Sequence, residues 1–419
     1  MTQIPVQMLK PGMTIATDVQ NRRGQILIPS GVRITEKHMR GMKIWGIESV
    51  DVQPEDLDAE TLSQSLPNAE APNESELDSY LSHLFVHNMD NMQHPFILEL
   101  EELCRDVFTR KGIPKNTSQL AVADTPAPTE TRSRDELKST ALLMKKSKNL
   151  ASPPDIYAKL MEAMERSSSS SSSIAAVIEN DPGLTARLLR IVNSAFYSFP
   201  TPIETISRAI TIVGTDELRN MVLVTSVIKQ FSNGLEGLLD MEQFWRHSIA
   251  CALFSKNIAV MRNDQNAERF FTTGLLHDIG RLIMYLELPG EMVALFKETP
   301  DDDRDLYRKE RMEFGFTHAQ MGKDLAESWR LSPRQAEAIQ LHHAPKGARR
   351  FPLDTAILHV ADILTNALRI GTSGSLRIPQ FVPDTYEQLR FRPGALARLS
   401  QDVEREVSEL IRAFHEKKQ

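Results

Sequence analysis

The residues of this chain that could do chemistry are histidines and aspartates in its second half. The chain has eleven histidines, and six of them lie between positions 247 and 359. One of them, His277, is followed directly by Asp278 in the stretch FFTTGLLHDIGRL. A neutral imidazole and a carboxylate both offer lone pairs to a cation, whereas a buried carboxylate without a partner is costly. The pair therefore indicates the start of a metal site.

The other candidate ligands lie within or at the ends of segments with a helical apolar pattern. The complete set of candidate metal ligands is His247, His277, Asp278, His318, His342, His343 and Asp362. Helical bundles build metal sites from inward-facing side chains of several helices. A mixed set of imidazoles and carboxylates suits Fe, Mn or Zn rather than calcium, which prefers oxygen ligands.

Each candidate also has a simpler interpretation. A single histidine on a helix is compatible with a packed or surface position, and Asp362 with a hydrogen-bonded helix residue. On a continuous helix the adjacent His342 and His343 cannot point the same way, so one of them could face solvent instead. Seven candidates on one bundle nevertheless favour a shared purpose.

Composition limits the functional class. The chain of 419 residues is 41% hydrophobic and 25% charged, which is ordinary for a soluble globular protein. A net charge of -7 gives no electrostatic footprint for a nucleic-acid polymer. There are two distant cysteines, no signal-peptide pattern and no stretch of about 18 apolar residues. We therefore expect a cytoplasmic protein with neither a disulfide framework nor a membrane span.

The chain divides into five predicted regions. Turn signals and β-prone segments over 1–52 predict a small β-rich domain of order β-β-β-α-β. An acidic linker over 53–76 and a Pro/Thr-rich linker over 114–147 flank a helical segment at 77–113. Residues 148–419 form the last region, a helical domain that ends in a helix from about Ala395. The seven serines at 167–173 are expected to form a flexible joint between helices.

The pattern from residue 148 onward is that of an all-helical bundle. Helical apolar spacing recurs between short polar breaks, and no strand pattern interrupts it. Asn180 and Asp181 are expected to end one helix, and Pro182 suits the first turn of the next. Thr215 or Asp216 is expected to cap a later helix. The fold class is therefore predicted as mainly α, with the small β-rich domain ahead of the bundle.

Several of these segments carry a family resemblance. The stretches PPDIYAKLMEAM, IAAVIENDPGLTARLLRIVNSAFYS and ISRAITIVGTDELRNMVL resemble, in order, the opening helices of the HDOD domain, a helical relative of the HD superfamily. Residues 1–52 resemble the short domain often found ahead of HD-GYP phosphodiesterase domains. The resemblance to the HD-GYP branch implies that the seven candidates hold two divalent metals, with Asp278 as the bridging carboxylate. If the centre is catalytic, it assigns that role to Asp278 and Arg281.

The sequence departs from the HD-GYP pattern at three places. The lysine that closes the HDIGK motif is Arg281, which keeps the charge but is bulkier. The acidic residue used by members with three metals is Gln243. After His343 the chain reads APKGARRFPL, without the GYP segment that shapes the substrate loop.

Basic residues and a long loop follow the last histidine pair. Lys346, Arg349 and Arg350 could meet a phosphate ligand, although a solvated loop is an equal explanation of three basic residues. The Gly/Pro-containing stretch 371–394 could cover a pocket or form a surface excursion.

The resemblance leads to two functional hypotheses. The first is a bacterial signal-transduction protein whose HDOD domain retains a metal site and acts through regulatory protein partners. The second is a metal-dependent phosphohydrolase, such as an HD-GYP-like cyclic di-GMP phosphodiesterase with a cyclic dinucleotide as ligand.

Overall fold

The structure of the chain is a computed structural model. It describes residues 2–5, 9, 12–17, 19–20, 26–35, 38–39, 42, 49–52, 72–114, 139–166, 170–194, 197, 199, 201–231, 235, 239–296, 305–375, 377–392 and 394–414. The chain forms two compact units, one of residues 1–73 with 109–112 and the other of residues 74–108 with 113–419. Most of the two predicted linkers lies outside the described residues.

The first unit contains four short strands, β1 (Thr2–Pro5), β2 (Val19–Gln20), β3 (Ile26–Ile28) and β4 (Ser49–Val52). Strand β1 pairs antiparallel with β4, with Ile4 opposite Val50, and β2 pairs antiparallel with β3. Ile15, Ile28 and Val52 are buried in its small apolar core. The helix predicted between the third strand and the last falls largely outside the described residues, so the order β-β-β-α-β stays a prediction.

The second unit is helical throughout its described part, as the sequence pattern predicts. Its first helices are α1 (Glu74–Leu84), α2 (Pro95–Lys111), α3 (Thr140–Lys146), α4 (Lys148–Ala151), α5 (Asp155–Glu165), α6 (Ser171–Glu179), α7 (Pro182–Val192), α8 (Ile206–Val213) and α9 (Thr215–Gln230). The rest are α10 (Met241–Met261), α11 (Glu268–Leu276), α12 (Ile279–Glu287), α13 (Pro289–Phe296), α14 (Leu306–Phe314), α15 (His318–Ser328), α16 (Pro333–Leu341), α17 (Pro352–Ala367), α18 (Pro383–Leu389) and α19 (Ala395–Phe414). Short 3₁₀ helices span Val86–Asn91 and Pro345–Gly347. No helix among the described residues is both long and apolar enough to cross a membrane.

Helices α10 and α17 form the centre of the bundle. Both are buried on nearly every face, and α10 packs against α11, α17 and α19. A helix that is apolar all round belongs in the core, and polar side chains on it need partners. The polar residues His247 on α10 and His359 and Asp362 on α17 therefore stand out, because each is at most 3% exposed.

The helix starts follow local chemistry. The predicted break before Pro182 is confirmed, because the Asp181 side chain accepts a hydrogen bond from the backbone of Leu184 and Pro182 opens α7. The serine run is not only a joint. Ser170 and Ser173 form a reciprocal capping box that starts α6. The predicted cap at Thr215 or Asp216 is wrong, because Gly214 occupies that position with a φ of 91° and no side-chain cap.

Candidate metal centre

The bundle brings the predicted ligands together from five helical segments. His247 comes from the first half of α10, and Asp362 comes from α17. His277 and Asp278 occupy the junction at which α11 ends and α12 begins. His318 opens α15, and the pair His342–His343 directly follows α16. The five segments thus place all seven predicted side chains at one location in the core.

Two glycines allow the helices to approach closely enough for this. A Cβ atom on Gly274 would lie 2.6 Å from the Cα of Ala252, so α11 packs backbone to backbone against α10. A Cβ atom on Gly280 would lie 2.1 Å from the carbonyl oxygen of His318. The glycine of the HDIG stretch therefore lets the start of α12 contact the start of α15, which brings His318 to Asp278.

We call His247, His277, Asp362 and the Oδ2 atom of Asp278 the first cluster. His247 Nε2 lies 3.3 Å from His277 Nε2 and 3.4 Å from Asp362 Oδ1, and His277 Nε2 lies 3.5 Å from Asp362 Oδ1. Asp278 Oδ2 is 3.3 Å from His277 Nε2 and 3.7 Å from His247 Nε2. A tetrahedral ion with ligands about 2.1 Å away separates its ligand atoms by about 3.4 Å. The four atoms have the spacing that such an ion requires.

We call His318, His342, His343 and the Oδ1 atom of Asp278 the second cluster. His318 Nε2 lies 3.0 Å from Asp278 Oδ1, 3.1 Å from His343 Nε2 and 3.4 Å from His342 Nε2. His342 Nε2 is 3.8 Å from Asp278 Oδ1. Asp278 thus directs one oxygen to each cluster, which is the geometry of a bridging carboxylate. The two clusters could hold one cation each.

The hydrogen bonds behind the imidazoles decide which nitrogen faces the clusters. His277 Nδ1 lies 2.6 Å from the carbonyl oxygen of Gly274, and His342 Nδ1 lies 2.7 Å from that of Ile339. A carbonyl oxygen only accepts, so these Nδ1 atoms carry protons and the Nε2 atoms present lone pairs. Asp278 Oδ1 is buried and accepts no hydrogen bond within the described part of the chain. Lone pairs that face one another without a donor fit cations, and these residues accordingly fit a pair of divalent ions.

Electrostatics set the carboxylates and two histidines in the state that coordination needs. Burial would raise the pKa of Asp278, but the Arg281 guanidinium and His277 outweigh it and hold that pKa well below its usual range. Burial lowers the pKa of His342 to about 3, and burial with the neighbouring His342 lowers that of His343. Near neutral pH Asp278 is therefore charged and these two imidazoles are neutral, as metal ligands must be.

Arg281 places a cation beside the shared carboxylate. Its Nη1 donates to Ser373 Oγ at 2.6 Å and to the Ser373 carbonyl oxygen at 3.1 Å, and it lies 3.3 Å from Asp278 Oδ2. Its Nη2 lies 3.4 Å from His318 Nε2. The side chain is only 2% exposed. Arg281 therefore ties the stretch after α17 to both clusters.

Sequence reasoning missed three residues that support the ligands. Glu310 on α14 accepts hydrogen bonds from the backbone and Nδ1 of His318, and Ser373 holds Arg281. Asn366 donates to Asp362 Oδ1 at 2.7 Å. Only Asn366 carries a signal in the sequence, because it lies one helical turn after Asp362. The other two reach the centre through tertiary packing.

The concern that adjacent histidines diverge does not apply here. Helix α16 ends at Leu341, so His342 and His343 lie at and beyond its last turn, and both reach the second cluster. The sixth histidine of this region, His359, is engaged elsewhere. Its Nδ1 lies 2.6 Å from the His342 carbonyl oxygen, and its Nε2 accepts from the backbone of Val382.

A narrow cavity of about 300 Å³ leads to the centre. Its lining residues are Asp278, Arg281, Asp305, Leu306, Tyr307, His343, Asp362, Asn366, Ser373, Ser375 and Pro379. The stretch predicted to cover a pocket, 371–394, supplies three of them. The space left for solvent is about 10 Å³, which is on the order of one water molecule.

The three basic residues predicted to meet a phosphate are not in this lining. The backbone N–H groups of Arg349 and Arg350 donate to Glu337 Oε1 at 3.2 and 3.0 Å, and the Arg350 guanidinium lies over the ring of Phe351. Lys346 is exposed in the 3₁₀ helix Pro345–Gly347. Their role in phosphate binding stays a prediction.

Comparison with known proteins agrees with this fold. The HDOD domain family matches residues 150–345. A solved HDOD domain protein of Geobacter sulfurreducens is 23% identical, with a TM-score of 0.51 and coverage of 66% of this chain and 96% of that one. A solved protein of Shewanella amazonensis, named as a proposed phosphohydrolase, is also 23% identical, with a TM-score of 0.51 and coverage of 65% and 98%.

A protein of Treponema pallidum is 25% identical over 194 residues, which are 45% of this chain and 37% of that protein. The match therefore spans little more than a third of the length of this relative. At these identities the solved structures establish a shared fold. Together with the family match, they identify residues 150–345 of this chain as an HDOD domain, a helical domain of the HD superfamily.

Proposed function

We propose that the HDOD domain binds two divalent metal ions at the His/Asp centre and acts as a regulatory module of bacterial signal transduction, through a protein partner. The observation that carries the metal assignment is the pair of four-atom clusters that share Asp278. Their ligand atoms are 3.0 to 3.8 Å apart wherever a distance between them is given above. Their donor set of five imidazoles and two carboxylates favours Fe, Mn or Zn.

The residues of the chain hold such ions without rearrangement. The Nδ1 partners of His277, His318 and His342 fix each ring, and the low pKa of Asp362 keeps its carboxylate charged. When bound, divalent ions supply positive charge and acidify a bound water. The buried aspartates and the neutral imidazoles pay little reorganisation cost, because they already occupy ligand positions.

The closure of the centre supports a regulatory role over a catalytic one. The cavity leaves space for about one water, and Arg281 is bound at both ends, to Ser373 and beside Asp278. A cyclic dinucleotide is a ligand of several hundred Å³ at least. It would reach the shared carboxylate only if the residues around Tyr307 and Ser373 moved apart.

A metal-dependent phosphohydrolase is the second candidate function, with a cyclic dinucleotide as one substrate. The supporting observation is the cation of Arg281, which lies 3.3 Å from the bridging Asp278 and lines the cavity. Metal pairs and a fixed guanidinium are the groups that stabilise the charge of a phosphoryl group during transfer. The Shewanella amazonensis neighbour is named for a proposed activity of this class.

One experiment separates the two functions. The purified chain is analysed for bound metal and assayed with Mn²⁺ or Fe²⁺ on cyclic di-GMP and on a linear dinucleotide. The regulatory proposal predicts bound metal without turnover above that of Asp278→Ala. Turnover that Asp278→Ala abolishes and Asp216→Ala retains would establish the hydrolase instead, since the Asp216 side chain is 82% exposed and serves as the control. A chain that binds no metal would overturn both.

Residues 1–52 are proposed as a small β-rich unit for sensing or interaction. The antiparallel pairs β1–β4 and β2–β3 support this proposal, as does the buried set around Ile15. Hydrogen exchange of the chain tests it. We expect protected amides in β1 and β4, and uniformly fast exchange over 1–52 would contradict the proposal.

A further inference from the structure

A second cavity lies in the helical unit, apart from the metal centre. It has a volume of about 710 Å³ and lies between the turn Ser152–Ile156, one side of α7 and the last two turns of α9. Small-molecule sites in proteins have volumes of roughly 300 to 1,000 Å³. The described lining of this cavity shares no residue with the cavity at the metal centre.

The wall formed by α9 carries hydrogen-bonding capacity that the protein leaves unused. Ser226 lines the cavity, is 9% exposed, and its hydroxyl makes no hydrogen bond to the described residues. One turn later, the Gln230 side chain donates to the carbonyl oxygen of Asn149 at 2.7 Å, but its Oε1 is buried without a partner. Buried polar groups are rarely left unpaired. A ligand with hydroxyl groups would satisfy both side chains.

The charges around the cavity favour an anionic group. Three basic residues, Lys148, Arg187 and Lys229, line it together with two acidic residues, Asp155 and Asp181. Asp181 has a structural role at this position, because its Oδ1 caps α7 and its Oδ2 faces Lys229 at 4.0 Å. Three basic and two acidic side chains leave an excess of one positive charge.

We propose that this cavity binds a phosphorylated sugar. The phosphate group would lie among Lys148, Arg187 and Lys229, where charge-assisted hydrogen bonds to a phosphate are strong. A sugar hydroxyl would donate to Gln230 Oε1, and another would pair with the Ser226 hydroxyl. The ligand class follows from the need for an anionic group and hydroxyl donors in one small molecule.

Calorimetric titration of the chain with ribose 5-phosphate tests the proposal, with ribose and inorganic phosphate as separate titrants. We expect saturable binding of ribose 5-phosphate at least tenfold tighter than that of either fragment. Lys229→Glu should weaken it at least tenfold, and its fold should persist because the Lys229 side chain is 63% exposed. Gln230→Leu should weaken it as well, through the lost acceptor.

Two variants keep the result specific. Arg208→Glu on α8 changes an equally exposed cation outside the cavity and should bind like the wild type. Asp278→Asn should also bind like the wild type, since a phosphate held at the metal centre would be lost with that carboxylate. Absence of saturable binding, equal loss in Arg208→Glu, or loss in Asp278→Asn would each overturn the proposal.

Discussion

Glu310 lies directly behind His318. Its Oε2 accepts hydrogen bonds from the backbone N–H of His318 at 2.8 Å and from Nδ1 at 2.6 Å, and both residues are fully buried. The second interaction fixes the proton on Nδ1 and directs the lone pair of Nε2 at the second cluster. Glu310 is thus a positioning residue for a metal ligand that it does not replace.

The variant Glu310→Gln tests this relationship. It keeps the shape of the side chain but removes the charge that favours the Nδ1–H tautomer. Partners of metal-bound histidines contribute roughly 10- to 100-fold to metal affinity. We therefore expect one of the two ions to bind about 10- to 100-fold more weakly in competition with a chelator, and the other to be unaffected.

The matched control is Glu313→Gln, which changes an exposed glutamate on the same helix. It should bind both ions like the wild type. Equal affinities of wild type and Glu310→Gln for both ions would show that Glu310 has no influence on the centre.

Gly280→Ala is predicted to disrupt the contact between α12 and α15. The added Cβ would lie 2.1 Å from the carbonyl oxygen of His318 and 2.6 Å from the backbone nitrogen of Gly322. Overpacking of a rigid core costs on the order of 1–3 kcal/mol or more. We expect a loss of this size in the free energy of unfolding, measured with urea, and a loss of metal because His318 is displaced.

Gly183→Ala on α7 is the control for this substitution. Its Cβ would meet only side-chain atoms of Asp181 and Arg187, at 3.4 and 3.8 Å. Alanine is the better helix former by about 1 kcal/mol, so the variant should be as stable as the wild type or more so. A Gly280→Ala protein with unchanged stability would contradict the proposed close packing.

Glu217 makes stability depend on pH away from the metal centre. Burial, with help from Glu268, raises its pKa from 4.5 to about 7, while the Tyr197 hydroxyl donates to its Oε1 at 2.6 Å. Between these pH values the native state binds more protons at this site than the unfolded state, so its contribution falls as pH rises. The shift of about 2.5 units corresponds to at most about 3 kcal/mol, lost by pH 8.

Glu217→Gln removes this titration. The variant should gain about 2–3 kcal/mol relative to the wild type when the pH is raised from 4.5 to 8, measured as the difference between their free energies of unfolding. Because other groups titrate equally in both proteins, the comparison isolates Glu217. The same difference at both pH values would show that the carboxyl is not held neutral by burial.

The helical bundle and the seven ligands could be predicted from sequence because both follow local patterns. Apolar spacing sets the helices, and histidines and aspartates stand out within apolar segments such as the one around His277. The roles of Glu310 and Ser373 could not be predicted. They lie 8 and 92 residues from the side chains that they hold, and only the packing of α14 and of the stretch after α17 brings them there.

Helix ends were the other difficulty. The convergence of His342 and His343 depends on α16 ending at Leu341, a boundary that the sequence does not mark with glycine or proline at that position. Likewise, the serine run has the composition of a linker, but Ser170 uses its side chain to start α6. In both cases a change of one or two residues in a helix boundary decides the role of the side chains.

The most direct test of the metal assignment is the metal content of the purified chain, measured per molecule after loading with Mn²⁺ or Zn²⁺ and dialysis, for the wild type, Asp278→Asn and Asp216→Asn. Because Asp278 gives one oxygen to each cluster, the account predicts two ions in the wild type and in Asp216→Asn, and fewer than one in Asp278→Asn. A wild-type chain that retains no metal, or an Asp278→Asn chain that retains two ions, would contradict it.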